Sequence, residues 1–416
     1  MLRVSRILLA PRRAQSAENY TKKDLDPVPS NSKERTWTWP SLLGFWIAEA
    51  FSISMYQVAS SSITKGLSPG LAIVAVLVGH LLVCVPAMLN GYVGCIYGIN
   101  FPVLMRSTFG IYGAYFGVFV RGVVACIWFG TQSFQGGEYI ELRFLFMAKT
   151  IVMPIFGLTL FVWAIVAAHG FGPTFSKRTH ITDGTPPVVV FFQCVTTAIG
   201  PKATLALNMP DFTRYAKYPT QVFWTQAVGL VVLVTLCGIL GVTVTSACQQ
   251  IYGVTTWNPL QVSILWNNRA AQFFSALCWM FAVIGTNISA NSVSFSNDLA
   301  LWFPKWINAR RGAYVCCIIS IAATPWNIQY SAASFSAFLG GYALFLGPIA
   351  GIMIFFHGFN IRAFVAFICG ITPNLAGLAK ATGNEHVPRG AIYIYSLSWL
   401  VGTIVAFVVY TIAGRK

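Results

Sequence analysis

Polar side chains that could hold a small ligand occur in pairs, one helical turn apart, within apolar stretches of the chain. Trp128 and Gln132 lie in the run CIWFGTQSFQGG, and residues four apart share one face of a helix. A flat aromatic ring beside a side-chain amide suits a small planar molecule that carries carbonyl and N–H groups. Asn287 and Asn291 repeat this spacing in GTNISANS. The two pairs indicate recognition of a nucleobase-like solute rather than covalent chemistry.

Each pair also has a purely structural interpretation. Aromatic residues are common in apolar helices, and asparagine amides can join helices at a gain of only about 1 kcal/mol. A buried glutamine amide nevertheless needs hydrogen-bond partners, and Thr286 adds a hydroxyl beside the two asparagines. We therefore expect both pairs to bind ligand.

Two charged residues stand inside apolar runs, where an ionisable group costs several kcal/mol unless it is paired or faces a cavity. Glu49 lies in FWIAEAFSIS, and the serines that follow it favour a span with a broken backbone that lines a site. It is a candidate for coupling or gating, with a structural carboxylate as the alternative. Lys202 follows Pro201, which predicts a kinked or broken helix. Lys202 could contact a ligand, pair with Glu49 or extend to the membrane surface.

Further charges are interpreted as gating or anchoring groups rather than as ligands. Asp211, Arg214 and Lys217 cluster near a predicted helix end, and Asp298 follows the run SFSN close to the end of another span.

The elements that must position these residues are membrane spans. Only 9% of the 416 residues are charged and 56% are hydrophobic, whereas soluble domains carry about 25% charged residues. Uncharged windows of about 20 residues, long enough to cross a bilayer, recur along the chain. Eleven spans are predicted, at about 42–62, 69–97, 111–137, 147–169, 187–207, 222–249, 273–294, 313–326, 332–357, 362–380 and 392–412.

The net charge of +16 reflects a basic N-terminal tail and short basic loops. This distribution is typical of the positive-inside rule and argues against nucleic-acid binding. We predict a cytosolic tail at 1–38, a transmembrane transporter domain at 39–412 and a C-terminal tail at 413–416. When Lys149 is counted as a loop residue, most basic residues lie on one side of the membrane only if the chain lacks one helix after the third predicted span.

The sequence lacks the motifs that several functional classes require. The sequence contains no Walker-type phosphate loop, no HExxH motif, no Cys/His cluster and no selectivity-filter repeat. The five histidines are dispersed and no nucleophile–base pair is visible, so an enzyme is not expected. The ten cysteines are scattered through apolar segments as small buried hydrophobes.

Four runs, FWIAEAFSISMYQVASSSITKGLSPGLAI, IWFGTQSFQGG, LNMPDFTRYAK and GTNISANSVSFSNDLALWFPKWINARRG, resemble the nucleobase–cation symporter-1 family. Within it they are similar to the fungal Fur-type branch of uracil, allantoin and uridine permeases. The resemblance implies an all-α polytopic membrane protein with a LeuT-like fold, in which helices 1–5 and 6–10 of twelve form inverted repeats around a midplane site.

The resemblance also implies roles for individual residues. Trp128 and Gln132 on helix 3 would stack on and hydrogen-bond the substrate ring, and Asn291 on helix 8 would bind it with Asn287 behind. Lys202 stands where a sodium-coupled bacterial relative has a further aromatic residue, so a two-sided aromatic sandwich is not expected.

The sodium site of that relative uses adjacent serine and threonine hydroxyls on helix 8. Here the corresponding pair is Gly285 and Thr286, one hydroxyl short. The resemblance therefore favours a co-transported proton over sodium, with Glu49 as the carrier and no bound cofactor. The expected partners are a small-molecule substrate and the lipid bilayer, and the oligomeric state is left open.

The chain departs from the family at two junctions. GGEYI passes directly to ELRFLFMAKT, without roughly 40 residues that include helix 4, and IMIFFH passes to GFNIRAF without an intracellular loop. The predicted function is proton-coupled symport of uracil or allantoin, with uridine next. The alternative is a truncated or non-transporting member that acts as a sensor or inactive isoform. The family implies the plasma membrane, and the shortened chain predicts retention in the endoplasmic reticulum.

Overall fold

The structure, a computed structural model, describes residues 26–135, 142–303, 306–307, 309–353 and 361–413. We number its helices α1 Trp39–Ala50, α2 Ile53–Thr64, α3 Pro69–Tyr97, α4 Phe101–Phe109, α5 Gly113–Gln135, α6 Leu142–Ala167, α7 Pro187–Thr213, α8 Pro219–Tyr252, α9 Pro259–Ile264, α10 Arg269–Trp302, α11 Ala309–Ala322, α12 Pro325–Ile328, α13 Ala332–Met353, α14 Ile361–Ala381, α15 Arg389–Ser396 and α16 Ser398–Ala413. Two of these helices contain a π-helical segment, α8 at Gly229–Leu233 and α10 at Asn287–Val293.

The helices confirm the predicted all-α membrane architecture. Within the described residues, eight helices are long and apolar enough to cross a membrane. Two bent pairs, α1 with α2 and α15 with α16, raise the number of candidate spans to ten. The one remaining predicted span, the eighth, at 313–326, corresponds to α11, whose apolar part Arg311–Ala322 is shorter than a full crossing.

The first span is broken where the sequence predicts a break. Helix α1 ends at Ala50, α2 begins at Ile53, and their axes differ by 48°. By contrast, α7 continues as an α-helix through Pro201. The freed backbone groups of a broken helix therefore belong to the first span, beside Glu49, and not to α7.

Helices α3 and α7 approach each other closely because glycines of α3 face α7. A Cβ at Gly79 would lie 2.9 Å from the Cβ of Ala198, and one at Gly94 would lie 2.5 Å from the Cα of Pro210. Any larger residue would separate the helices. This contact fixes the depth of Lys202, one turn after Ala198.

The segment before α1 docks against the ends of α3 and α7. The buried Arg35 donates to the carbonyl oxygens of Val28 at 2.9 Å and Cys95 at 2.6 Å, and the amide of Trp37 donates to Tyr215 at 3.0 Å. We call this face of the molecule the tail side, and the opposite face the far side. The tail side is the one predicted to be cytosolic.

Both junctions where segments are expected to be missing lie outside the described residues, at 136–141 and 354–360, as do residues 1–25 and 414–416 of the predicted tails.

Candidate functional site

The residues singled out from the sequence meet at one small cavity of about 20 Å³ beside the break between α1 and α2. Six of the seven candidate residues line it, and the seventh, Asn287, lies behind Asn291. The lining comes from α1, α2, the α1–α2 connection, α5, α7 and α10: Glu49, Ser52, Ser54, Met55, Trp128, Gln132, Pro201, Lys202, Thr204, Leu205, Thr286, Ala290 and Asn291.

The two amide pairs form one hydrogen-bonded chain between α5 and α10. Asn291 Nδ2 donates to Gln132 Oε1 at 3.0 Å and to Asn287 Oδ1 at 2.9 Å. Asn287 Nδ2 in turn donates to Phe129 O at 3.0 Å and Ser133 Oγ at 2.9 Å. Asn287 is thus anchored to α5 and orients Asn291, which agrees with its expected place behind the site.

Two amide atoms of this row of hydrogen bonds remain available to a ligand. Both hydrogens of Asn291 Nδ2 are used, while Asn291 Oδ1 and Gln132 Nε2 have no hydrogen-bond partner within the part of the chain that the structure describes. An acceptor and a donor therefore stand next to each other on the cavity wall. A ligand edge with an N–H beside a C=O matches them.

The π-helical segment of α10, which the sequence analysis did not predict, contains both asparagines. Such segments carry one extra residue per turn and are frequent at functional sites. This local geometry orients the side chains of Asn287 and Asn291 toward α5.

The indole of Trp128 is held in one orientation by α13. Its Nε1 donates to the Tyr342 hydroxyl at 3.1 Å, and its ring meets Phe338 edge-on with the centroids 5.6 Å apart. Among the described residues that line the cavity, Trp128 is the one aromatic. Within the described lining, a planar ligand would therefore stack on one ring, that of Trp128.

Lys202 pairs with Glu49, one of the arrangements considered from the sequence. Its Nζ donates to Glu49 Oε2 at 3.2 Å and to the Glu49 carbonyl at 2.8 Å, and both side chains are buried. The carbonyl belongs to the C-terminal end of α1, where the helix dipole favours a cation. The alternative in which Lys202 extends to the membrane surface is wrong.

The assignment of Lys149 to a loop is also wrong. Helix α6 begins at Leu142, earlier than the predicted start at 147, so Lys149 is fully buried. Its Nζ donates to the Thr286 hydroxyl, and a Cβ at Gly285 would lie 3.0 Å from its Cδ. The apolar residues on both sides of Lys149, in FLFMAKTIVMPIF, were the signal that could have revealed it.

Buried charges close the tail side of the cavity. Arg121, fully buried on α5, forms an ion pair with Asp298 of α10 and donates to Ser294 O at 2.8 Å. Its guanidinium lies 4.7 Å above the Phe101 ring, and the Phe101 amide donates to Asp211 Oδ1 at 2.8 Å. The predicted gating carboxylates, Asp211 and Asp298, therefore meet in one cluster whose central cation the sequence did not identify.

Neutral contacts close the far side. Trp257 stacks on Phe335 with ring centroids 5.7 Å apart, and Ser60 Oγ donates to Trp257 O at 2.9 Å. Gln57 Nε2 of α2 donates to Gln329 Oε1, at 3.3 Å, in the segment between α12 and α13.

Comparison with known proteins assigns the family. The family model described as permease for cytosine/purines, uracil, thiamine and allantoin matches residues 27–142, 140–357 and 354–402. The breaks between these segments coincide with the two junctions where residues are expected to be missing.

Curated relatives align along nearly the whole chain. A permease of Schizosaccharomyces pombe is 31% identical over 95% of this chain and 80% of its own length. The uracil permease of Saccharomyces cerevisiae is 28% identical over 94% of this chain and 75% of its own length. The allantoin permease of Bacillus subtilis is 28% identical over 96% of this chain and 94% of its own length.

Among solved structures, the nucleobase-cation-symport-1 transporter Mhp1, closed with bromovinylhydantoin bound, matches with a TM-score of 0.73 at 19% identity over 95% of both chains. A Na⁺-coupled sialic acid symporter matches with a TM-score of 0.57 at 13% identity, covering 99% of this chain and 95% of its own. The fold is therefore Mhp1-like and LeuT-like. The chain belongs to the nucleobase–cation symport-1 family of permeases.

Proposed function

We propose that this family member is a proton-coupled symporter that imports a neutral planar solute by alternating access, with uracil and allantoin as leading substrates and uridine next. The observation that carries the proposal is the pair of unsatisfied atoms, Asn291 Oδ1 and Gln132 Nε2, beside the Trp128 ring.

The chemistry of these groups supports the substrate class. Uracil and the hydantoin ring of allantoin both carry an N–H next to a C=O, which complement an acceptor and a donor side by side. Stacking on an indole adds about 1 kcal/mol beyond simple burial. Uracil and allantoin permeases among the relatives agree with this assignment.

The position of Lys149 supports proton rather than sodium coupling. A sodium ion needs oxygen ligands, and the family's site for it includes two hydroxyls on helix 8. Here Gly285 offers none, and the Thr286 hydroxyl is occupied by the Lys149 ammonium. Glu49, the buried carboxylate that interacts electrostatically with both Lys149 and Lys202, remains as the group to take up the proton.

Removing the two unsatisfied amide atoms tests the site. Gln132→Ala and Asn291→Ala should each abolish uptake of labelled uracil or allantoin while the amount of protein at the cell surface is unchanged. Thr372→Ala is the matched control, because this exposed side chain bonds only to its own helix. Uptake near the parent rate in both site variants would contradict the assignment.

A second candidate is an inactive or sensing chain, favoured by the breaks in the family match at residues 140–142 and 354–357. In this case we expect retention in the endoplasmic reticulum instead of delivery to the plasma membrane. Accumulation of labelled uracil or allantoin against a gradient separates the two: accumulation supports the transporter, and its absence supports the inactive or sensing chain.

A further inference from the structure

A buried histidine near the Glu49–Lys202 ion pair has no role in the proposed transport cycle. His80 of α3 is fully buried, and its Nδ1 bonds to the Val76 carbonyl at 2.8 Å. A carbonyl only accepts, so Nδ1 carries the hydrogen and Nε2 bears a lone pair. Within the described residues, Nε2 has no hydrogen-bond partner.

The contact between α3 and α7 places His80 close to the level of Lys202 along the bundle. Gly79, the preceding residue, contacts Ala198 of α7, one turn before Lys202. His80 and Lys202 therefore lie on nearby turns of two closely packed helices.

The other titratable groups around this region come from every neighbouring element. Glu49 on α1 holds Lys202, and Lys149 on α6 is a second buried cation that interacts with both. Cys237 on α8 lies near the two lysines. Tyr56 on α2 and Cys84 on α3 are also buried nearby in the same core. Glu49 is therefore the one carboxylate among these groups.

Lys202 depends on a single acidic partner. An ammonium has three donors, and two of those of Lys202 go to the carbonyl and carboxylate of Glu49. If Glu49 takes up the proton, as the proposed function requires, Lys202 loses its ionic partner while it is still buried. A buried cation left in this way needs another acceptor.

We propose that His80 is a positioning residue: its neutral Nε2 accepts a hydrogen bond from Lys202 when Glu49 is protonated. The ammonium then moves away from the cavity that it lines, so that protonation of Glu49 changes the shape and charge of the substrate site. An imidazolium would repel Lys202, so His80 stays neutral through the cycle. This proposal rests on the proposed function only for the event that protonates Glu49.

A pair of amide substitutions distinguishes this role from packing. His80→Gln places an oxygen near the position of Nε2, whereas His80→Asn keeps a donor for the Val76 carbonyl but has no distal acceptor. We expect His80→Gln to retain most uracil uptake and its pH profile. His80→Asn should reach the surface, take up uracil about tenfold more slowly and show a flattened pH profile. Equal profiles in the two variants would overturn the proposal.

A stability cycle tests the same idea without transport. Glu49→Gln mimics the protonated carboxyl, so Lys202 should then rely on His80. Adding His80→Asn should lower the Tm of purified Glu49→Gln protein by at least ~4 °C more than it lowers the Tm of the parent. Additive shifts would refute the Lys202–His80 contact even if the protein transports nothing. Absence of uptake in the parent, with a non-additive cycle, would refute only the proposed function.

Discussion

The two sides of the cavity are closed by different chemistry. On the tail side a buried guanidinium, Arg121, holds the Asp298 carboxylate, while on the far side Trp257 stacks on Phe335 and two glutamine amides meet. Separating a buried ion pair strands charges in a medium of low dielectric. Separating neutral rings and amides costs about 0.5–1.5 kcal/mol per contact. We infer that the far side opens more readily, which suits entry of substrate from that side.

The sharpest way to break this asymmetry is to remove one ionic partner on the tail side. Asp298→Asn removes the carboxylate that pairs directly with the buried Arg121, which should cost about 3–5 kcal/mol and lower the Tm strongly. Thermal unfolding of the purified protein measures it.

The pair offers its own control. Replacing both partners, Arg121→Met with Asp298→Leu, should recover much of the lost stability, because apolar groups then take the place of both members of the pair. A single variant as stable as the parent would show that the ion pair does not close the tail side.

A smaller effect is expected from the aromatic contact on the far side. Trp257→Ala removes the stack on Phe335 and should cost about 1–2 kcal/mol. The cavity should then open more often to the far side, so Ser54→Cys in this background should react several-fold faster with an impermeant thiol reagent. Trp257→Phe keeps an aromatic ring, so in that background the cysteine at position 54 should react at nearly the rate measured with Trp257 intact. Unchanged reactivity in Trp257→Ala would argue against a far-side closure at this stack.

The smallest expected effect concerns the amide pair. Gln57→Ala removes one neutral hydrogen bond to Gln329, worth about 0.5–1 kcal/mol. The same cysteine at position 54 should react about two- to fivefold faster, with little change in Tm. A loss of stability as large as that in Asp298→Asn would mean that the two sides do not differ in the way described.

The sequence predicted the cavity better than its closures. Trp128, Gln132, Asn287 and Asn291 were recognisable because i, i+4 spacing within one helix is visible in the sequence. The contact of Gln57 with Gln329 joins residues 272 positions apart and leaves no local pattern.

The charged residues show where sequence reasoning is weakest. Arg121 was not singled out from the sequence and Lys149 was assigned to a loop, so neither was given a partner. Whether a lysine near the start of a span is buried depends on where the helix begins, and α6 begins five residues before its predicted start. Likewise, Pro201 indicated a kinked or broken helix, yet α7 continues as an α-helix through it, because proline chemistry alone does not decide whether tertiary packing interrupts a helix.

Concentrative uptake by the purified protein in liposomes is the most direct test of the account. With an acid exterior and no sodium, labelled uracil or allantoin should accumulate inside above its external concentration. A protonophore should abolish the accumulation, and Asn291→Ala should take up nothing. Accumulation that requires sodium would contradict the role given to Lys149. No uptake of either compound by folded protein would contradict the transporter itself.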